Sequence, residues 1–314
     1  MDGKTVSEQY ALVADKLLFR YGKSFHWARY FLGREAGLEA TRLYAFCRYL
    51  DDIADNDEND NITKLKSIED VFNNNSNETE NSPEVYDFLQ LVEKLDLPVF
   101  VVKHLLSGLI SDQNAVLILD KNQLLQYAYK VAGTVGLMMT PILRTSSKRA
   151  LPFAIDLGIA MQLTNIARDV LEDAQLDRRY IPGSWCDNVS AKQIVTFSKA
   201  GTPQERWLVT KAIERILSLA ELYYSSGFKG LAYLPARHHL AILIAGIIYR
   251  LIGRRLLNGG TKWWKGRQVV SKTGKALHSI YSPMLLLNRL KPLPLHQSQL
   301  HSCLKDYLNF DEHN

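Results

Sequence analysis

The sequence predicts an all-α protein. Apolar residues recur at intervals of three and four in segment after segment of the 314-residue chain. No stretch alternates apolar and polar residues as a half-buried strand would. Two acidic stretches, Asp51-Asp52-Ile53-Ala54-Asp55 and Asn165 to Asp173, set carboxylates four residues apart, and residues so spaced share a face only on a helix, about 100° being turned per residue.

The segments follow in order. Ser7 to Arg20 has a helical apolar period and stops at Gly22, and Ser24-Phe25-His26-Trp27 opens an aromatic helix running to about Leu32. Glu35 to Asp55 reads as one long helix whose apolar residues cover most of its circumference, which implies burial on nearly all sides. Tyr44, Arg48, Asp51, Asp52 and Asp55 nevertheless form a polar row along it, and a polar row on a buried helix implies a lined cavity. Residues 56–83 are rich in Asn, Asp, Glu and Ser, with only Leu65, Ile68, Val71 and Phe72 suggesting a short helix, and read as a mobile polar loop, either a lid over the first acidic motif or a solvated insertion. Glu84–Lys94 and Val99–Ser111 read as helices separated at Pro98. Asn122–Leu143 follows, with small residues from Ala132 to Gly136 that would let another helix or an extended ligand come close, and with Pro141 bending its end. Lys148 to about Ala174 is the second motif helix, its polar row made by Gln162, Asn165, Arg168, Asp169 and Asp173. Arg178 and Arg179 belong to a basic loop. Gln204–Ser225 is amphipathic, and Leu231–Leu257 is apolar before turning basic. Residues 1–291 are expected to form one helical domain around a deep central cavity, and 292–314 a polar, irregular tail.

Composition narrows the function classes. The longest strongly apolar stretch, Leu240–Ile248, is far shorter than the ~20 residues a membrane-spanning helix needs. The polar start lacks a signal peptide's apolar segment, which points to the cytoplasm. Three widely spaced cysteines, Cys47, Cys186 and Cys303, show no metal or redox spacing. The net charge of +5, concentrated beyond residue 200, suits a nucleic acid, an anionic membrane or a phosphorylated substrate. Zinc-finger spacing, RNA-binding aromatic signatures and compact Lys/Arg blocks are absent, which argues against nucleic acid. Aromatic and basic residues from Lys262 to Lys275 would suit peripheral contact with the inner face of the cytoplasmic membrane.

The acidic rows carry the chemistry. Like charges one helical turn apart weaken a helix by a few tenths of a kcal/mol, so something must offset them. Mg²⁺ prefers oxygen ligands and takes one or two protein carboxylates together with substrate phosphates. Two facing carboxylate pairs could therefore hold metal ions around a diphosphate.

Leu43 to Asp55, Val131 to Gly136 and Gln162 to Asp173, in this order and separation, resemble the signatures of the squalene/phytoene synthase family, and the similarity extends from about Ser24 to Lys275. The resemblance implies the isoprenoid synthase fold and head-to-head (1′–1) joining of two allylic prenyl diphosphates. It assigns metal binding to Asp51, Asp52 and Asp55 and to Asn165, Asp169 and Asp173. Catalysis falls to Asp51, Asp55, Asp169 and Asp173 with Arg48 and Tyr44. Diphosphate contacts fall to Arg48, Arg168, Arg178, Arg267 and Lys272. Ser24, Phe25, Tyr44, Tyr127, Gln162 and Tyr249 would line the prenyl chains and the cation. Mg²⁺, with Mn²⁺ as a substitute, is the implied cofactor, and NADPH is not expected. The wording of the motifs is most similar to bacterial phytoene synthases, implying two geranylgeranyl diphosphates as substrates and a downstream desaturase as partner. Squalene or dehydrosqualene formation from farnesyl diphosphate is the alternative reading, and a catalytically inactive scaffold the non-enzymatic one.

Overall fold

The polar row is carried on a helix that is otherwise core. The computed structural model describes residues 18–20, 23–56, 60–74, 82–113, 116–145, 147–267 and 292–308. In it α1 (Lys23–Arg29) is followed by α2 (Arg34–Asp55). Gly33 turns the chain between them at φ 88°, a backbone conformation that favours glycine. Leu43, Phe46, Leu50 and Ala54 of α2 are buried, and the Phe46 ring stacks on Phe88 of α4 (Pro83–Leu95) at 3.8 Å.

Part of the expected loop at 56–83 is helix α3 (Asn61–Asn74). Leu65, Ile68 and Phe72 bury one stripe of it, and Phe72 meets Phe46 edge-on at 6.0 Å. Three apolar anchors at helical spacing outweigh the polar composition around them. Residues 57–59 and 75–81 of that segment lie outside the described residues.

The helix α5 (Val99–Ser111) leads to a run expected as one helix, which is α6 (Lys121–Ala128), a π-helical turn at Tyr129–Gly133, and α7 (Thr134–Ile142). Asp120 begins it by accepting the Gln123 N–H at 3.0 Å. Pro141 has no N–H to donate to the Leu137 carbonyl. The Thr140 hydroxyl donates to that carbonyl instead, at 2.8 Å, and the helix ends one residue beyond the proline.

At the centre lies α8 (Leu151–Arg168), packed most extensively against the 28-residue α11 (Pro203–Gly230) and also against α7 and α12 (Ala236–Asn258). It is the one segment among the described residues long and apolar enough to cross a bilayer, and most of it is buried in the fold. The second motif leaves the helix at Asp169 (φ −102°, ψ 15°) and resumes as α9 (Val170–Gln175). The turn-by-turn register survives the break: Asp169 N–H donates to Asn165 O at 2.9 Å and Asp173 N–H to Asp169 O at 2.8 Å. Between α9 and α11, α10 (Ala191–Ala200) was not expected, although Ser190 and Gln193 form a capping box before it. No strand occurs among the described residues, only an isolated bridge between Leu117 and Arg179.

The tail departs from expectation as well. Residues 292–308 are irregular but docked: Leu304 is fully buried, Tyr223 OH donates to Leu300 O at 2.8 Å, and Tyr233 OH donates to Pro294 O at 2.6 Å. Trp263, offered above as a membrane contact, is buried and aims its Nε1–H at Arg206 O, while Trp264 lies under the Arg206 guanidinium at 5.0 Å. Those two rings are used by the fold itself. Residues 268–291 lie outside the described residues.

The small residues of the third motif, Val131–Gly136, admit a helix. A Cβ on Gly136 would stand 2.3 Å from Ala154 O, and one on Gly158 would stand 2.3 Å from Ala132 O. The two segments thus approach each other at reciprocal glycines, with backbone as the obstacle on both sides. Gly158→Ala should cost about 1–3 kcal/mol, as overpacking does, read as a fall in Tm. An unchanged Tm would mean that the helices can separate without loss.

Candidate active site

Two helix ends meet across a polar mouth. Asp51 and Asp55 occupy the last turn of α2, and Asp169 and Asp173 the junction of α8 and α9. Negative charge at the C-terminus of α2 is opposed by that helix's dipole, so the first pair is not favoured locally, whereas Asp173 lies in the first turn of α9, where the dipole favours it. Together with Asp112, Arg48, Arg168 and Arg178 they line a polar space of about 340 Å³. Five carboxylates against three guanidiniums leave this space formally two charges negative.

The arginines hold the carboxylates in place. Arg178, just beyond α9, donates to Asp55 Oδ1 at 2.8 Å and to Ala54 O at 3.2 Å, tying the second motif to the end of the first. Arg168 is bidentate to Asp169, with Nε to Oδ1 at 2.6 Å, and Arg267 reaches the same oxygen at 3.3 Å. Arg48 pairs with Asp52. Asp52 is therefore placed beside the mouth rather than in it: its side chain is 50% exposed and lines neither the polar space nor the cavity below.

Beneath the mouth opens an apolar cavity of about 450 Å³. Arg48, Asp51, Gln162, Asn165 and Arg168 border both spaces, so the two are continuous. Phe25 of α1 stands between Tyr44 of α2 and Tyr249 of α12, with ring centroids 6.3 and 5.1 Å away, and all three rings line the cavity. The structure thus gathers the expected residues from six helices and two loops. Of the remainder, Ser24 lies in α1 but its side chain is outside the described residues, as is Lys272 altogether.

Asp112 and Tyr180 were not anticipated. Tyr127 OH donates to Asp112 Oδ2 at 2.8 Å and its ring stacks on Tyr180 at 4.7 Å, which places this group between the two acidic motifs. The signal for Asp112 was faint but present: it is a carboxylate closing the otherwise apolar Val99–Ser111 helix, at the end where the dipole opposes it.

Burial and crowding raise several of these acids. Asp173 is pushed up to about 8 by burial and then by the charges of Asp169 and Glu172. Asp51, which faces the cavity space within a protein surround, is pushed up to about 7 by burial, with Asp55 and Asp52 adding to it and Arg48 opposing. Asp112 rises to about 6, again chiefly through burial. A divalent cation fits this donor set. The ligands are all oxygen, the carboxylates repel one another, and Asn165 Oδ1 is buried at the mouth with no hydrogen-bond partner.

The sign of the pH dependence follows. The folded Asp173 carboxyl holds its proton to about pH 8, whereas the unfolded one releases it near 3.8. The stability of metal-free protein should therefore fall, on account of this group, as pH rises from about 4 to about 8. In melts with chelator present, Asp173→Asn should raise Tm over the parent, and by more at pH 8 than at pH 5. An equal gain at both would mean that Asp173 is ionised throughout.

The squalene/phytoene synthase family profile matches residues 18–274. The 15-cis-phytoene synthase of Enterobacter agglomerans is 33% identical over 264 residues, covering 81% of this chain and 88% of that protein. That of Pantoea ananas is 31% identical over 294 residues, covering 87% and 92%. A dehydrosqualene synthase crystallised with a ligand aligns with a TM-score of 0.79 at 24% identity, over 91% of this chain and 100% of that one. The squalene synthase of Alicyclobacillus acidocaldarius aligns with a TM-score of 0.69 at 18% identity, over 80% and 94%. The architecture is accordingly the all-α isoprenoid synthase fold, and the chain belongs to the squalene/phytoene synthase family.

Proposed function

We propose that this protein is a phytoene synthase, a prenyltransferase that joins two geranylgeranyl diphosphates head to head with release of diphosphate, using Mg²⁺ and no reductant. The observation that carries the reading is the continuity of the apolar cavity with a mouth bearing two aspartate pairs. Family membership makes prenyl diphosphates the substrate class and a divalent cation the requirement. The 15-cis-phytoene synthases among the relatives support the C20 donor and product.

Bound at Asp51, Asp55, Asn165, Asp169 and Asp173, Mg²⁺ would act as a Lewis acid toward the diphosphate oxygens. The chain's own residues do the rest. Arg48, Arg168, Arg178 and Arg267 are charged donors already at the rim, where negative charge grows on the diphosphate as its C–O bond breaks. The apolar walls keep water from the allylic cation. The faces of Phe25, Tyr44 and Tyr249 stabilise it, by ~2 kcal/mol or more for a desolvated cation–π contact. Attack by the second chain's double bond, with loss of a proton as the three-membered ring closes, gives a cyclopropyl diphosphate, whose own ionisation at the same mouth leads, after rearrangement and loss of a second proton, to the C40 product.

The cytoplasm is the proposed location, with the enzyme resting peripherally on the membrane that receives its insoluble hydrocarbon and carries a desaturase to consume it. The retained aspartates argue against an inactive scaffold, which has no use for raised, mutually repelling carboxyls.

Purified protein given Mg²⁺ and geranylgeranyl diphosphate should release a C40 hydrocarbon without reductant. A C30 product from farnesyl diphosphate alone would move the assignment to the squalene or dehydrosqualene branch. Chelation should abolish turnover, and Mg²⁺ or Mn²⁺ should restore it. Asp51→Asn and Asp169→Asn should each lower kcat by about a hundredfold or more, the scale of losing one preorganised charge-stabilising group, with Tm close to that of the parent. Unchanged turnover in both variants would sink the assignment.

A further inference from the structure

Behind the cavity wall lies a second cluster that the proposed chemistry does not use. Among the described residues, Asp156, His296 and His301 bring one ligand atom each to within 4.8 Å of one another. Asp156 stands in the middle of α8 and is fully buried. His296 Nε2 lies 2.8 Å from Asp156 Oδ2, and His301 Nε2 lies 2.7 Å from Asp156 Oδ1. Both imidazoles thus aim the same ring nitrogen at the two oxygens of one carboxylate. The ring centroids are 4.5 Å apart, and both side chains are largely shielded from solvent.

We propose that Asp156, His296 and His301 form a structural site for a borderline divalent metal, Zn²⁺ above all, that fastens the 292–308 segment to the central helix. The donors select it: two imidazole nitrogens and one carboxylate oxygen suit Zn²⁺, whereas Mg²⁺ is served by the all-oxygen mouth. Ligand atoms around a tetrahedral Zn²⁺ lie about 3.3 Å apart. The hydrogen-bonded atoms would part by roughly half an ångström to reach that spacing, and ligand atoms farther apart, all within 4.8 Å of one another, would draw in toward it. Without metal each Nε2–H donates to the Asp156 carboxylate; on binding, each imidazole would give up that proton or shift it to Nδ1, leaving a neutral ring with Nε2 free to ligate, and water would take the fourth position.

The surroundings hold the ligands in place. Ser226 of α11 hydrogen-bonds Asp156, the outer-shell support that orients ligating carboxylates. Phe153 meets the His296 ring edge-on at 5.1 Å. Phe153 also lines the apolar cavity, so the site buttresses one wall of the substrate space from behind.

The test uses full-length protein without a polyhistidine tag, stripped with chelator and returned to buffer with Mg²⁺ in large excess to fill the oxygen site. Co²⁺ is then titrated as a spectroscopic stand-in for Zn²⁺. The expected result is a visible d–d absorption of a four-coordinate nitrogen/oxygen site that saturates at one equivalent. Zn²⁺ should displace it and raise Tm by several degrees, as a ligand of the native state does. His301→Gln should lose the absorption and weaken Zn²⁺ binding at least tenfold, and His296→Asn should do the same if the first variant folds poorly. No absorption in the parent protein, with Tm indifferent to Zn²⁺, overturns the site. So does an absorption of equal strength in both variants.

Discussion

Repulsion among carboxylates gathered at helix ends is the constraint on which this structure turns. Asp51 and Asp55 sit where the α2 dipole opposes them, Asp169 and Asp173 crowd the α8–α9 junction on the same polar space, and Asp112 adds a fifth carboxylate between the two motifs. Left alone such an arrangement would splay or fray the helix ends. Three devices restrain it. Arg178 and Arg168 each bond an aspartate, and Arg178 links the two motif helices. Protons remain on the most crowded acids to higher pH than usual, Asp173 foremost. The third device is remote from the charges. Reciprocal glycines at 136 and 158 bring the third motif against α8 at backbone distance, so the helix bearing the second acid pair is held by its middle.

The same helices that present charge at the mouth present apolar surface below it. On α2, Asp51 and Arg48 stand at the rim while Tyr44, one turn earlier, lies within the cavity. On α8, Asn165 and Arg168 stand at the rim and Leu157 and Gly158 lie deeper. A helix running from a dry interior to a charged opening converts position along its axis into polarity. That gradient suits a substrate with a diphosphate at one end and a hydrocarbon at the other. The π-helical turn at Tyr129–Gly133 contributes Val131 and Ala132 to the cavity wall, at a place where an ideal α-helix would turn different residues inward.

The C-terminal segment changes what the wall is made of. Its Leu304 enters the core, and Tyr223 and Tyr233 donate to its carbonyls. The Asp156–His296–His301 cluster is outside the lining of the mouth, in the first half of α8. A buried carboxylate must be paired or coordinated, and here both partners come from a segment whose composition alone suggests nothing but solvent.

The helices and the acidic rows were determined by the sequence because both are local: apolar spacing of three and four selects the backbone, and a four-residue interval then aligns Asp51 with Asp55 and Asn165 with Asp169 and Asp173. Even the interruption at Asp169 does not disturb this, since backbone hydrogen bonds carry the register across it. Signals of the same local kind were present but weaker for α3 and α10, in three apolar anchors and a capping box. Tertiary structure alone decided which polar groups would share a space. Asp112 joins the mouth because α5 ends beside Tyr127, and Asp156 meets two histidines 140 and 145 residues away. Contacts across such separations depend on how whole helices cross, and no interval in the chain records that.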